Sequence, residues 1–308
     1  MYRMKPFLVH ILLFIVFSIL TIIVLILIST VYVLRNSFNN WETESNILIV
    51  EENHDYDALI MGISHARNLS RHKNHLRMEA ITGKKIINIG RGGYYSGLMT
   101  QHIYLKYFYA MGNRAKKVVV ILTPLLMYST IYDDASNVFE DEPISIKFIE
   151  CYLSENTNTT VHQLYYYIID KLSPKWFLSV PTSLEENKDY LDSLDHTKVE
   201  EGIKAAYLNG MEEEVFENRR VLIGKILSEC RKNNSDVCFI IPPALFGKWR
   251  GHDAVISFLG QLQEQDPTIT WYDFSESILD PKLYYDHHHL NTAGVVYFTE
   301  NYLKKALR

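Results

Sequence analysis

The feature that most narrows the fold of this 308-residue chain is a repeated alternation of short apolar runs with helix-length segments. Asp57–Met61 reads as a buried strand. Ser64 to about Thr82 reads as a helix stopped by Gly83, a residue type suited to the left-handed position that closes a helix. Lys85–Ile89 follows as a strand, Tyr95 to about Met111 as a helix stopped by Gly112-Asn113, and Lys117–Leu122 as a third, strongly β-branched strand. The rhythm resumes with a helix from about Glu213 to Arg231 and a strand at Val237–Ile241 ended by Pro242-Pro243. A helix over His252–Gln265, a strand at Thr268–Tyr272 and a last helix from Thr292 to Lys305 complete it. Strands that alternate with helices predict an α/β fold, a mostly parallel five-stranded sheet covered on both faces. In such sheets the site lies beyond the carboxyl ends of the strands.

Two regions stand outside this rhythm. Pro6–Leu34 is almost wholly apolar, interrupted only by His10 and small hydroxyl residues. It exceeds the roughly 20 residues that cross a bilayer. It is also longer than the apolar part of a signal peptide and lacks a small-residue cleavage site, so it reads as an uncleaved single-pass anchor. Arg3 and Lys5 precede it, while Arg35, Glu42 and Glu44 follow. The positive-inside rule then places the N-terminus in the cytoplasm and the body outside the cell membrane. Ser37 to about Tyr56, mostly polar apart from Ile47–Val50, reads as a juxtamembrane linker.

Between about 124 and 218 the alternation breaks. The stretch is aromatic, with Tyr165-Tyr166-Tyr167 and Trp176-Phe177, and helical around Ile144–Leu153 and Val161–Leu172. It reads as an insertion over the sheet: a lid, a substrate wall, a surface for a membrane partner, or a helical elaboration packed on the core. The expected organisation is therefore 1–36 N-terminus and anchor, 37–56 linker, and 57–308 α/β domain carrying the insertion.

Composition excludes some classes. A formal net charge of -5 and 21 tyrosines argue against a general nucleic-acid binder. Cys151, Cys230 and Cys238 are an odd number without metal-ligand spacing, and they read as free thiols.

The chemistry gathers at two places. Ser64 follows Gly62-Ile63 where the first strand gives way to a helix, and Tyr285-Asp286-His287-His288-His289-Leu290-Asn291 precedes the last helix. A serine hydroxyl becomes a nucleophile when an imidazole takes its proton, and a carboxylate fixes the tautomer of that imidazole. Ser64, His289 and Asp286 fit those roles, with His287 the rival base. The bland alternatives are a helix cap for Ser64 and a solvated loop for Asp286–His289. Three consecutive histidines invite zinc, but adjacent side chains diverge and no cysteine or carboxylate cluster joins them, so no metal and no cofactor is expected. His65 and Arg67 lie in the first turn after the serine, as substrate contacts or plain surface. Arg91, in the Arg91-Gly92-Gly93 turn, is placed to meet an anionic or carbonyl group, while Gly92 and Gly93 alternatively serve a turn needing positive φ. Tyr94 and Ser96 are further polar neighbours, and Asn291 reads as a cap of the last helix.

Taken in order, Gly62-Ile63-Ser64, Asn88-Ile89-Gly90-Arg91-Gly92-Gly93 and Asp286-x-x-His289 resemble the first, second and fifth blocks of the SGNH, or GDSL-type, esterases and acyltransferases. The resemblance spans roughly residues 55 to 308. It implies a flavodoxin-like three-layer α/β/α domain with Ser64 as nucleophile, Asp286 and His289 as its partners, and Gly93, or else Gly92, as an oxyanion donor. The family's third block carries an asparagine donor; here Leu122-Thr123-Pro124-Leu125-Leu126 has none, and Tyr94 and Ser96 are the candidates to replace it. An anchor joined to such a domain resembles the accessory acyl-transfer proteins of bacterial cell envelopes. That likeness implies O-acetyl or O-acyl transfer to an envelope polysaccharide through an acyl-serine, beside a membrane-bound O-acyltransferase. A carbohydrate esterase or deacetylase, and a non-catalytic scaffold subunit that lost the asparagine, stand as alternatives.

Overall fold

The computed structural model describes residues 4–36, 52–92, 96–132, 144–155, 160–173 and 185–308. They fall into two compact units, 1–40 with 139–181, and 41–138 with 182–308.

The larger unit is built on five strands, β1 (Asp55–Gly62), β2 (Ile86–Asn88), β3 (Arg114–Ile121), β4 (Asp236–Ile241) and β5 (Thr270–Asp273). Their order is β2-β1-β3-β4-β5 and every pair is parallel. This is the flavodoxin-like doubly wound arrangement. The near-continuous apolar runs of β1, β3 and β4 follow from burial on both faces. Ala58, Ile60, Val119, Ile121, Cys238 and Ile240 join one core cluster with Met78, Val295, Phe298 and Leu303, which come from the Asn74–Thr82 helix and the C-terminal helical segment. Their alternating neighbours Leu59, Met61, Val118, Val120 and Phe239 point the other way and are equally buried. Helices Leu98–Ala110 and Glu213–Lys232 pack together on that second face, and Phe258 of the His252–Gln265 helix meets Phe216 edge-on.

The polar start of β1 carries two ion pairs to β3. Asp55 pairs with Arg114 and receives its guanidinium at 2.8 Å, and Asp57 receives Lys116 at the same distance. Such exposed pairs are screened by water and contribute little; the apolar run beyond them carries the stability.

Several element bounds differ from those read in sequence. The helix expected from Ser64 to Thr82 is three pieces: Ser64–Asn68, a 3-10 turn Arg71–Lys73, and Asn74–Thr82. The break falls where His72 and Lys73 take positive φ of 56° and 61°. This basic stretch has no buried residue to hold a continuous helix on the sheet. The second helix begins only at Leu98, after Gly97 in extended conformation. β5 starts at Thr270 because Asp266 accepts the Thr268 amide and turns the chain there. Asn291 caps the final helix by accepting the Gly294 amide at 2.9 Å, and that helix widens into a π-turn at Thr299–Leu303.

The smaller unit contains the Met4–Asn36 helix. Its 27-residue stretch Pro6–Tyr32 is long and apolar enough to cross a membrane, and most of its side chains are exposed. At 1.5 Å per residue it spans about 40 Å, against roughly 30 Å of hydrocarbon. Ser29 donates to the Lys171 carbonyl at 2.8 Å. Helices Ile146–Leu153 and Thr160–Ile169 meet through Phe148 and Tyr167, whose rings lie 5.5 Å apart. Residues 139–181 thus cluster with the apolar helix, whereas Pro124–Tyr128 and His196–Ala206 belong to the sheet unit. Trp176-Phe177 and residues 37–51 of the expected linker lie outside the described residues.

Candidate functional site

The site starts from a glycine. Gly62 ends β1 at φ 149°, and a Cβ there would lie 2.7 Å from the Ile121 carbonyl oxygen and 2.9 Å from Ala66 Cβ. Only glycine lets the chain turn this close to β3. Ile63 then stands at the cap position, so Ser64 is the first helical residue and not the cap. Its hydroxyl has another partner.

That partner comes from the loop before the last helix. Tyr284 and Leu290 form an antiparallel bridge, and the Tyr285 amide donates to the His289 carbonyl at 3.1 Å, which closes the loop. Inside it Asp286 Oδ1 accepts the amides of His288 and His289 at 2.9 and 2.7 Å. Asp286 Oδ2 lies 2.7 Å from His289 Nδ1, and His289 Nε2 lies 2.8 Å from Ser64 Oγ. Because the Asp286 carboxylate accepts a hydrogen bond from Nδ1–H and so fixes that tautomer, Nε2 is left to accept from the serine hydroxyl. The structure therefore brings Ser64, His289 and Asp286 into one hydrogen-bonded chain. The rival base His287 instead accepts the Asp195 amide on Nε2 at 3.4 Å.

Two asparagines hold this geometry. Asn68, one helical turn after Ser64, donates to the Leu290 carbonyl at 2.5 Å and so ties the serine helix to the histidine loop. Asn88 at the end of β2 donates to the Ala66 carbonyl at 2.7 Å and accepts the Gly90 amide at 2.8 Å. The Arg91 amide donates to the Gly62 carbonyl at 3.1 Å, so the glycine-rich loop is stitched to the serine turn. The sequence reading missed both roles. The i, i+4 spacing of Ser64 and Asn68 was the available signal. Asn291, besides capping, donates to the Asp189 and Lys282 carbonyls at 2.9 and 2.8 Å.

Of the remaining sequence-predicted residues, Arg91 holds its guanidinium over the Tyr104 ring, 5.4 Å from the centroid. Gly92 runs against Arg67, whose Nη1 would lie 2.7 Å from an added Cβ. Gly93 and Tyr94 lie outside the described residues, and Ser96 is buried. His65 is buried, not surface-placed, with its ring 4.8 Å from that of His289 and 5.3 Å from that of His288. One ligand nitrogen from each of these three histidines lies within 4.8 Å of the other two. Trp249 meets His288 edge-on at 5.4 Å.

The charges fit the hydrogen bonds. Burial opposes ionisation of Asp286, but the hydrogen bond and charge of His289 and the hydrogen bond from the His288 amide together hold its carboxyl well below the usual carboxylate range. Burial, with His289 adding to it, pushes His288 down to about 3 and moves His65 well below an ordinary imidazole. Both stay neutral beside the Ser64 partner. Burial also raises the Tyr285 phenol, stacked 5.6 Å from His289, to about 12.

A cavity of about 320 Å³ adjoins the loop, walled by Val199, Ile203, Phe246 and Trp249 with Lys198 and Asp286 at its polar part. That volume falls within the range of small-ligand pockets. A second Ser–His–Asp grouping differs in kind. His252 Nε2 lies 2.9 Å from Asp273 and 3.4 Å from the buried Ser275 hydroxyl. Its other nitrogen, Nδ1, lies 3.1 Å from the exposed Asp253 carboxylate, so both ring nitrogens are held by carboxylates and Ser275 is a more distant third partner.

No family model matches the chain. No curated protein matches it. Among solved structures, the crystal structure of a "putative acylhydrolase" from Bacteroides fragilis aligns with a TM-score of 0.39 at 13% identity, covering 88% of this chain and 95% of that one.

Proposed function

We propose that this protein is a membrane-anchored SGNH-type serine acyl-transfer enzyme. The observation that carries the reading is the Ser64–His289–Asp286 chain at the carboxyl ends of parallel strands. Ser64 Oγ attacks an acyl ester or thioester carbonyl while His289 Nε2 takes its proton; Asp286 orients the imidazole and stabilises its charged form. The amides of Ser64 and Gly93 receive the oxyanion. His289 then protonates the leaving group. In the second half, a sugar hydroxyl or water gives its proton to His289 and attacks the acyl-serine carbonyl; the bond to Ser64 Oγ then breaks as His289 returns that proton to the serine oxygen.

The domain division 1–36, 37–56 and 57–308, the N-terminus in the cytoplasm and the body outside are part of the same proposal, supported by the charge bias around the apolar helix. The proposed acceptor is an envelope polysaccharide and the proposed partner a membrane-bound O-acyltransferase, on the resemblance of layout. The pocket walled by Trp249 and Phe246 supports a sugar or short acyl group beside the loop, since both present flat apolar faces.

The test is labelling of the full chain in detergent with a serine-reactive fluorophosphonate, beside Ser64→Ala and His289→Ala. Labelling of the parent alone supports the reading; a folded parent that does not label sinks it. An acetyl ester turned over with and without an oligosaccharide acceptor then separates transferase from esterase.

A further inference from the structure

We propose that His65, His288 and His289 form a binding site for a zinc-like divalent transition ion, and that its occupancy withdraws His289 from Ser64. Four observations converge. One ligand nitrogen from each ring already lies within 4.8 Å of the others. Tetrahedral zinc with bonds near 2.05 Å sets ligand nitrogens about 3.3 Å apart, so closing a gap of at most about 1.5 Å by ring rotation completes the set. A cavity of about 20 Å³ is lined by all three rings, enough for one small sphere.

The third observation is an orphan. His65 is 7% exposed, and the polar group that approaches its ring, the His288 backbone, falls short of hydrogen-bond geometry at either ring nitrogen. Buried polar groups in folded proteins are nearly always paired, and an ion among the three rings supplies what His65 lacks. The fourth is the Asp286 carboxylate on His289 Nδ1 at 2.7 Å, the outer partner that commonly orients a metal-bound imidazole and directs Nε2 outward. Three protein nitrogens leave the fourth position to water.

The sequence expectation of no metal rested on the divergence of neighbouring histidines, and that premise holds for His287, which turns to the Asp195 amide. It misses His65, which arrives from the serine helix. The consequence for Ser64 rests on the acyl-transfer reading; binding itself does not. His289 Nε2 has one lone pair. Given to a metal it cannot accept the serine proton, and the hydroxyl stays protonated and unreactive.

The test uses the full chain in detergent after chelator treatment, titrated with Zn²⁺ by calorimetry and with Co²⁺ by visible absorption. The expected result is one ion per chain, a tetrahedral cobalt spectrum, and binding weakened by more than about tenfold in both His65→Gln and His288→Gln, since losing even an outer partner of a ligand costs that much. Fluorophosphonate labelling of the parent falls at least about tenfold at saturating Zn²⁺ and returns with chelator, as expected when the serine loses its base. No saturable binding by the folded parent, or binding undiminished in both variants, overturns the proposal. Metal binding by a parent that never labels leaves this site standing and removes the acyl-transfer reading instead.

Discussion

His289 Nε2 stands 2.8 Å from Ser64 Oγ although 225 positions separate the two residues in the chain. The serine follows β1 and the histidine follows β5, and the parallel sheet delivers both to one end. That distance is within direct proton-transfer reach. Asp286→Asn is expected to lower the fluorophosphonate labelling rate by a factor on the order of 10³–10⁴, because the amide favours the wrong imidazole tautomer. A rate within threefold of the parent at neutral pH would remove Asp286 from its role.

Asn68 should govern alignment more than stability. Asn68→Ala deletes the bond to the Leu290 carbonyl, at a cost of about 1 kcal/mol. The expected signature is a labelling rate reduced by far more than the small drop in denaturation midpoint implies. Equal, minor changes in both would mean the histidine loop holds itself.

Gly62 admits no side chain. Gly62→Ala places a methyl against the Ile121 carbonyl and Ala66 in a backbone conformation that L residues avoid. A loss of about 1–3 kcal/mol is expected from strain alone, read as a lower urea midpoint. Unchanged stability would contradict the close approach of β1 to β3.

The 320 Å³ cavity offers a specificity test. Gly202 lines it and a Cβ there meets nothing within 4 Å, so Gly202→Trp fills space without displacing backbone. Turnover of a bulky acyl ester should fall about tenfold more than that of the acetyl ester. Equal loss for both esters would place the substrate elsewhere.

The cysteines should be silent. Cys151, Cys230 and Cys238 are buried free thiols, and burial pushes Cys230 up to about 12. A thiol held protonated is a poor nucleophile. Native protein should not react with a water-soluble disulfide reagent at neutral pH, and denaturant should release three equivalents.

Most of the sheet was legible in sequence because parallel strands are buried on both faces and read as unbroken apolar runs, as Val118–Ile121 and Phe239–Ile241 do. Helix bounds were less legible. The stretch Arg71-His72-Lys73 has helix-compatible residues, and only its lack of contact with the core breaks it. Ser64, Asp286 and His289 could be singled out because local turn chemistry and the Asp-x-x-His spacing mark them.

By itself, then, the sequence determined the α/β class, the five strands, the apolar N-terminal helix and the residue types able to run acyl chemistry, because each is encoded in short-range periodicity and spacing. The tertiary structure alone decided that His289 and not His287 faces Ser64, that Asn68 and Asn88 hold the two loops in place, and that His65 is buried against the histidine loop. Those outcomes depend on contacts between segments as much as 225 positions apart, fixed by strand order and by the close packing that Gly62 permits. Local spacing nominates Asn68 and His289 as candidates, but the contacts they make are set by the fold.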